Sequence, residues 1–329
     1  MSGSLPSTPA LSVIVPSHDT KGLTLACLAS LGSPDPDVEI LVVDDGSRDG
    51  TAEAIAANPA LAHVRLLRSE EGTGFTRAAN RGLRAARGEL LLLLNSDTEV
   101  EPGSLAALRA AFAEDLKLGA AGAALSYPDG RPQWSGGAAP SDLWLFGLAS
   151  GLPALLGRLA PYRRARPLRQ AGEVEWVTGA ALCVRRSAVE PIAPPGPLDE
   201  RFRFYAQDLD LCLTLRNAGW KVSILPGLRV RHHHGATIGR DTGTSSDRKH
   251  PELLWTDLLR CAEKHRAPAG AAAARRALRA GAALRALGRA LRLPFVPPKD
   301  RAAWAADDEA FRRARRALAA SLISAEQIP

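Results

Sequence analysis

Glu39-Ile40-Leu41-Val42-Val43-Asp44-Asp45-Gly46-Ser47-Arg48-Asp49-Gly50-Thr51 decides the fold class. From Glu39 to Val43 the run is short, apolar and β-branched, which predicts a buried strand. An acidic turn with Gly46 closes it, and a helix opens near Thr51 and runs to about Ala57. Strands and helices alternate on either side. Leu11 to Val15 reads as a first strand ending at Pro16, with a helix from Thr20 to Leu31. Val64 to Leu67 reads as a third strand, with a helix from Thr76 to Ala86. Leu90 to Leu94 reads as a fourth, ending at Asn95-Ser96-Asp97. This alternation with short links predicts an α/β fold whose mostly parallel sheet has helices on both faces. Asp19, Asp44, Asp45 and Asp97 all follow strands. They therefore fall at the carboxyl edge of the sheet, where open α/β sheets bind ligands.

Beyond Leu125 the pattern changes. Tyr127-Pro128-Asp129-Gly130 is a turn. Ser141 to Arg169 reads as irregular, first apolar and then basic. Within it Leu143 to Leu156 is too short for a membrane span and is broken by Gly147, Gly151 and Pro153. It reads as a substrate-facing or membrane-surface loop. Val174 to Arg185 reads as a strand pair or a strand bent at Gly179, and Leu209 to Ala218 as a helix. Lys221 to Leu225 and Leu228 to Arg231 read as two short strands separated by Pro226-Gly227. From about Glu252 the composition shifts to Ala, Arg and Leu, and two helices are expected, Ala271 to Leu293 and Arg301 to Ile323.

The 329 residues are 46% hydrophobic and 23% charged, which excludes wholesale disorder. The net charge is +7, and much of the excess lies in Arg158 to Arg169 and in Lys264 to Arg316. The tail holds few aromatics, Phe295, Trp304 and Phe311, which argues against nucleic-acid binding. Leu284, Leu287 and Leu291 fall on one side of the first tail helix with Arg285, Arg289 and Arg292 adjacent. Phe311, Leu318 and Leu322 align on the second. Such faces fit an anionic membrane surface or packing against protein. Cys27, Cys183, Cys212 and Cys261 form no C-x-x-C pair and read as buried reduced thiols. Met1 to Pro9 lacks the pattern of a signal peptide, so a cytoplasmic chain is expected, peripheral on the inner face of the membrane if the tail docks there.

Four segments can carry chemistry. Asp44 and Asp45 can accept hydrogen bonds from a nucleobase or ribose, or simply help cap the next helix. Asp97 can hold Mg2+ or Mn2+ bridging a diphosphate, or serve as a turn residue. Asp208, in Gln207-Asp208-Leu209-Asp210, can act as a general base or cap the helix it opens. His232, in Arg231-His232-His233-His234-Gly235, can ligate a metal or lie in a solvated loop. On an extended segment His233 points away from His232 and His234.

Taken in order, these segments resemble the inverting family 2 glycosyltransferases of GT-A fold, in their rhamnosyltransferase-like branch. The resemblance covers roughly Leu11 to Lys264. It divides the chain into a glycosyltransferase domain over 1–250, with a nucleotide-sugar half at about 10–125 and an acceptor half at about 126–250, and a helical extension over 251–329. It implies that Pro16, His18, Asp44, Asp45, Arg77, Asn80, Asn95 and Ser96 bind the nucleotide-sugar. Arg77 and Asn80 come from the segment Gly72 to Gly82. It implies Asp97 and His232 as metal ligands, Asp208 as base, and Trp176, Gly179 and Gln207 on the acceptor side. The implied reaction moves a sugar, dTDP-rhamnose being the first expected donor, to a polysaccharide or lipid-linked glycan acceptor. Two positions depart from the family pattern: Asn95 replaces the first carboxylate of D-x-D, and Gln207 replaces the usual Glu before the base. They keep an inactive scaffold protein as the alternative. A sugar-nucleotidyltransferase fits less well, because no glycine-rich loop follows the first strand.

Overall fold

Strand β1 (Leu11–Ser17) is buried along its whole length, as is β4 (Leu90–Leu94). Strand β2 (Val38–Asp45) is buried after its first residue. Full burial on both faces explains why these strands lack alternation. A computed structural model describes residues 9–33, 35–152, 170–192, 196–202, 205–233 and 250–320. In it β1 lies between β2 and β4, parallel to both, and β3 (Val64–Ser69) extends the sheet beside β2. Successive β1 residues feed opposite cores. Leu11, Val13 and Val15 pack with Cys27 and Leu28 of α1 (Lys21–Ser30). Ile14 packs with Ala78, Ala79 and Leu83, which lie on the third helix along the chain. That helix, α3 (Phe75–Ala85), follows the short α2 (Thr51–Ala56). Pro16 sits in β1 beyond the last β1–β4 pair, Ile14 with Leu93. Its missing N–H therefore costs no ladder bond on that side.

Beyond β4 the pairing becomes mixed. After β5 (Thr98–Val100) and α4 (Ser104–Glu114) comes β6 (Leu118–Ser126). A two-residue strand β7 (Gly136–Gly137) and helix α5 (Asp142–Ser150) precede β8 (Gly172–Glu173), β9 (Trp176–Val177) and β10 (Ala181–Arg185). Then come α6 (Arg186–Val189), α7 (Gln207–Asn217) and β11 (Lys221–His232). The sheet order is β3-β2-β1-β4-β10-β6-β11-β5, with β8 also on β11 and a separate β7–β9 pair.

Two readings are corrected here. Lys221 to His232 is one strand, because Pro226, Gly227 and Leu228 form a bulge: Leu225 pairs with Ala123 and Arg229 with Ala124. A bulge absorbs a residue that cannot donate to the ladder without ending the strand. Asp142–Ser150 is helical, not a loop. Ser141 Oγ accepts from Trp144 N at 3.2 Å at its start, and Gly151 at φ 70 ends it. The rest of the expected irregular stretch, 153–169, lies outside the described residues.

Contacts divide the chain into two compact units, one over 1–138, 168–203 and 207–240, the other over 139–167, 204–206 and 241–329. The first contains the sheet. The second contains α5, α8 (Pro251–His265), α9 (Pro268–Arg292) and α10 (Arg301–Ala320). Helix α8 is an addition to the two helices expected there. A Cβ at Gly281 would lie 2.5 Å from Phe146 O, so glycine permits the close approach of α9 to α5. Arg285 closes the same contact by donating to Ala149 O and Leu148 O at 2.6 and 2.7 Å. The four cysteines are buried and form no disulfide, as expected, and burial pushes the Cys27 thiol up to about 12. Among the described residues no helix is long and apolar enough to cross a membrane.

Candidate active site

The carboxyl ends of β1, β2 and β4 meet at one edge of the sheet, and two loops are stitched together there. His18 Nδ1 lies 2.7 Å from Asp45 O. Asp19, at φ 50, accepts from Arg48 N at 2.7 Å and donates its own N–H to Ser47 Oγ. Asp45 spends its carboxylate on the loop before α3, accepting from Thr73 N, Thr73 Oγ1 and Gly74 N at 2.8 to 2.9 Å. Gly46 lies where a Cβ would come within 2.6 Å of the Glu71–Gly72 backbone, at φ 74, so that approach needs glycine. Asp44 is fully buried. Its Oδ1 accepts from Ser47 N at 3.1 Å, and its Oδ2 lies 3.7 Å from Arg68 Nε, with no hydrogen bond among the described residues. Of the two acids, Asp44 is the less committed to the loop before α3. His18 stays more than half exposed above Gly72.

At the end of β4, Asn95 is half-buried and Ser96 is buried. Ser96 Oγ lies 3.0 Å from Thr20 Oγ1, which also contacts Ser17 and Thr24. These hydroxyls tie the Asn95-Ser96-Asp97 turn to β1 and α1. Asp97 is placed by a neighbouring ladder. Strand β5 pairs antiparallel with β11, Thr98 opposite His232, and His233 N donates to Asp97 O at 2.9 Å. Distant segments are thereby brought together, with His232 Nε2 3.3 Å from Asp97 Oδ1 and both residues buried. His233 points the other way, to Glu99 at 2.7 Å, as alternation predicts. His234 and Gly235 lie outside the described residues.

Gln133, which the sequence did not single out, sets the imidazole. Its Oε1 lies 2.8 Å from His232 Nδ1. An amide oxygen only accepts, so Nδ1 carries the hydrogen. In the neutral ring Nε2 then presents its lone pair toward the Asp97 carboxylate. Two acceptors facing one another are stabilised by a cation, and one imidazole nitrogen with one carboxylate suits Mn2+ or Mg2+. The residues present therefore fit a divalent ion. Gln133 itself is held by its N–H to Leu125 O at 2.8 Å. No local pattern signals it; it is a lone amide after the turn at Tyr127–Gly130.

Asp208 lies in the first turn of α7. Its Oδ2 accepts from Gly179 N at 2.7 Å and its Oδ1 from Leu209 N at 2.8 Å. Both bonds fix the direction of the side chain. Gly179 thus earns its place through its backbone. Gln207 is buried, and its Oε1 has no hydrogen-bond partner among the described residues. Trp176 donates Nε1–H to Ala138 O at 3.0 Å and meets Trp134 edge-to-face at 4.8 Å. Trp134 is a second aromatic of this wall that the sequence did not mark.

Three residues expected at the donor, Asn80, Arg77 and Pro16, have these surroundings. Asn80 is fully buried, and its amide brackets Leu198, donating to its carbonyl at 2.7 Å and accepting from its N–H at 3.0 Å. It also donates to Glu200. With its side chain committed in this way, Asn80 pins the 196–202 segment. Thr76 does the same through Phe202 O. Arg77 is largely exposed and pairs with Glu200 at 3.3 Å. Pro16 is enclosed within β1.

The profile of glycosyl transferase family 2 matches residues 12–191. N-acetylglucosaminyl-diphospho-decaprenol L-rhamnosyltransferase of Mycobacterium tuberculosis is 33% identical over 234 residues, covering 65% of this chain and 73% of that protein. Among solved structures, the mannosyltransferase PcManGT from Pyrobaculum calidifontis, in complex with GDP-Man and Mn2+, superposes with a TM-score of 0.55 at 19% identity, over 98% of this chain and 88% of that one. GalNAc-T7 with UDP, GalNAc and Mn2+ superposes with a TM-score of 0.52 at 17% identity, over 78% of this chain. The chain spans about half the length of GalNAc-T7, 48%.

Proposed function

The chain belongs to glycosyl transferase family 2 and is a glycosyltransferase of GT-A fold, and we propose that it transfers L-rhamnose from dTDP-rhamnose to a hydroxyl of a lipid-linked glycan at the inner face of the membrane. The observation that carries this reading is the meeting of Asp97 and His232, 3.3 Å apart, at the edge that also presents Asp44 and Asp208. The choice of sugar and acceptor is supported by the likeness to the mycobacterial rhamnosyltransferase.

In this reading Asp208 takes the proton of the acceptor hydroxyl. The oxygen forms its bond to the anomeric carbon as the bond from that carbon to the diphosphate breaks on the opposite face, which inverts the centre. The bonds from Gly179 N and Leu209 N hold the base in direction. Asp97 and His232, the ring oriented by Gln133, would hold the divalent ion. When bound, that ion supplies charge neutralisation for the departing diphosphate. Asp44, Asp45, His18 and the loop at Gly72–Gly74 form the nucleotide wall. Trp176, Trp134 and Gln207 form the acceptor wall.

The test is turnover, read as nucleoside diphosphate release, with a polyprenyl-diphosphate-linked N-acetylglucosamine as acceptor and Mn2+ present. The expected result is a preference for dTDP-rhamnose over UDP- and GDP-sugars of about tenfold or more. Equal or faster turnover with another donor overturns the assignment of the sugar.

A further inference from the structure

The helical unit separates two faces that the sequence leaves equivalent. Helix α10 turns Phe311, Ala314 and Leu318 inward, each at most 6% exposed, and Phe311 stacks on Trp255 at 5.9 Å. This face is therefore satisfied by its own unit. Leu284, Leu287 and Leu291 on α9 are 38%, 57% and 65% exposed. The apolar edge continues past the helix end, where Leu293 is 51% and Phe295 84% exposed. Large apolar groups left in water at this spacing form a docking stripe, whereas scattered ones need no explanation.

The arginines divide in the same way. Arg285 and Arg289, which the sequence sets beside the leucines, are used inside the unit. Arg285 lies 4.2 Å over the Phe311 ring, and Arg289 lies 4.0 Å over Trp304 and bonds Asp308 at 2.9 Å. Arg276, Arg279 and Arg292 are exposed and flank the stripe. Helix α9 carries six arginines and no acid. Residues 250–320 carry 15 Lys and Arg against 7 Asp and Glu, an excess larger than that of the whole chain.

We propose that the edge formed by Leu284, Leu287, Leu291, Leu293 and Phe295 docks on an anionic phospholipid bilayer, its side chains entering the headgroup boundary while Arg276, Arg279 and Arg292 reach lipid phosphates. A bilayer fits better than a second copy of the chain. An isologous contact would bring the exposed Arg276, Arg279 and Arg292 of two copies of this acid-free helix together. The purpose of this surface rests on the lipid-linked acceptor reading, but its test does not.

The test is flotation of the full-length protein with vesicles of phosphatidylcholine alone or with about one quarter phosphatidylglycerol. The wild type is compared with Leu287→Glu/Leu291→Glu and with Leu116→Glu, an exposed leucine in the sheet-bearing unit. The wild type should float with the anionic vesicles about tenfold more than with the neutral ones, and less so at high salt. The double variant should lose about tenfold of that binding while Leu116→Glu keeps it. Nucleotide-sugar binding of the double variant should stay at the wild-type value, so failure here is separable from failure of the active-site reading. A double variant that floats like the wild type overturns the proposal, as does a wild type indifferent to anionic lipid. A dimer that the double variant dissociates, with no vesicle binding, assigns the edge to a second copy and overturns it too.

Discussion

Asp208→Asn should lower turnover about a thousandfold while donor affinity stays within about twofold. The substitution keeps the size of the side chain, and the amide oxygen can still accept from Gly179 N, which now bonds Oδ2 at 2.7 Å. The loop at Thr178–Gly179 should therefore hold its place. What is removed is the site that receives the acceptor's proton. Because that proton moves in the transition state and not on donor binding, the loss falls on turnover. Equal losses in turnover and donor binding would instead indicate that Asp208 acts by holding α7 against Gly179. Steady-state kinetics combined with donor titration separates the two.

Glu39→Ala should cost about 3 kcal/mol of folding stability, read by denaturant unfolding. The Glu39 side chain is only 4% exposed. Its Oε2 accepts from Ser12 Oγ at 2.6 Å and Arg87 N at 2.9 Å, and its Oε1 from Arg87 Nε at 2.8 Å and from Arg65. Removing it leaves the buried Ser12 hydroxyl hydrogen without its acceptor, leaves Arg87 N only the longer bond to Ser12 Oγ at 3.3 Å, and unpairs two guanidinium groups whose other sides reach water. Burial opposes ionisation of this carboxyl, but the bonds from Ser12, Arg87 N and Arg65 together with the Arg87 charge outweigh it and hold its pKa below the usual value. A depressed folded pKa gives stability that is present above the unfolded value, about 4.3, and lost as pH falls through the folded value. The gap between wild type and variant should therefore be widest near neutrality and close in acid below about pH 4. A gap independent of pH would contradict the role given to the charge. The knot lies at the amino ends of β1 and β2, away from the ligand edge, so kinetic constants of the folded variant should hold.

The sheet's parallel half was legible because its information is local. Leu90–Leu94 is a strand in the sequence and in the structure; Asp44 and Asp45 close β2 at its carboxyl end, and Asp97 lies just beyond β4. Strand β11 was divided in the reading because Pro226-Gly227 is a break signal locally, and only the ladder with β6 turns it into a bulge. Helix α5 has apolar side chains on most faces, so no periodicity announced it. Helix α8 did carry a signal, Pro251 at its first turn and buried residues at Leu254, Leu258 and Cys261. The site was readable as an order of motifs but not as contacts. Asp97 and His232 meet only through the β5–β11 pairing. Asn80 lies in the segment expected at the donor, yet its amide is committed to Leu198. Gln133 was out of reach because nothing in its neighbourhood distinguishes a positioning amide from a surface one.

In the proposed mechanism Asp97 and His232 would hold a divalent ion that joins this edge to a nucleotide-sugar. Calorimetric titration of nucleotide-sugars with and without Mn2+, on wild type and Asp97→Ala, tests it most directly. One donor should bind the wild type in a metal-dependent way, and Asp97→Ala should weaken that binding by at least about tenfold. Binding of equal strength in both proteins and without metal, or no nucleotide-sugar binding by either, would contradict it.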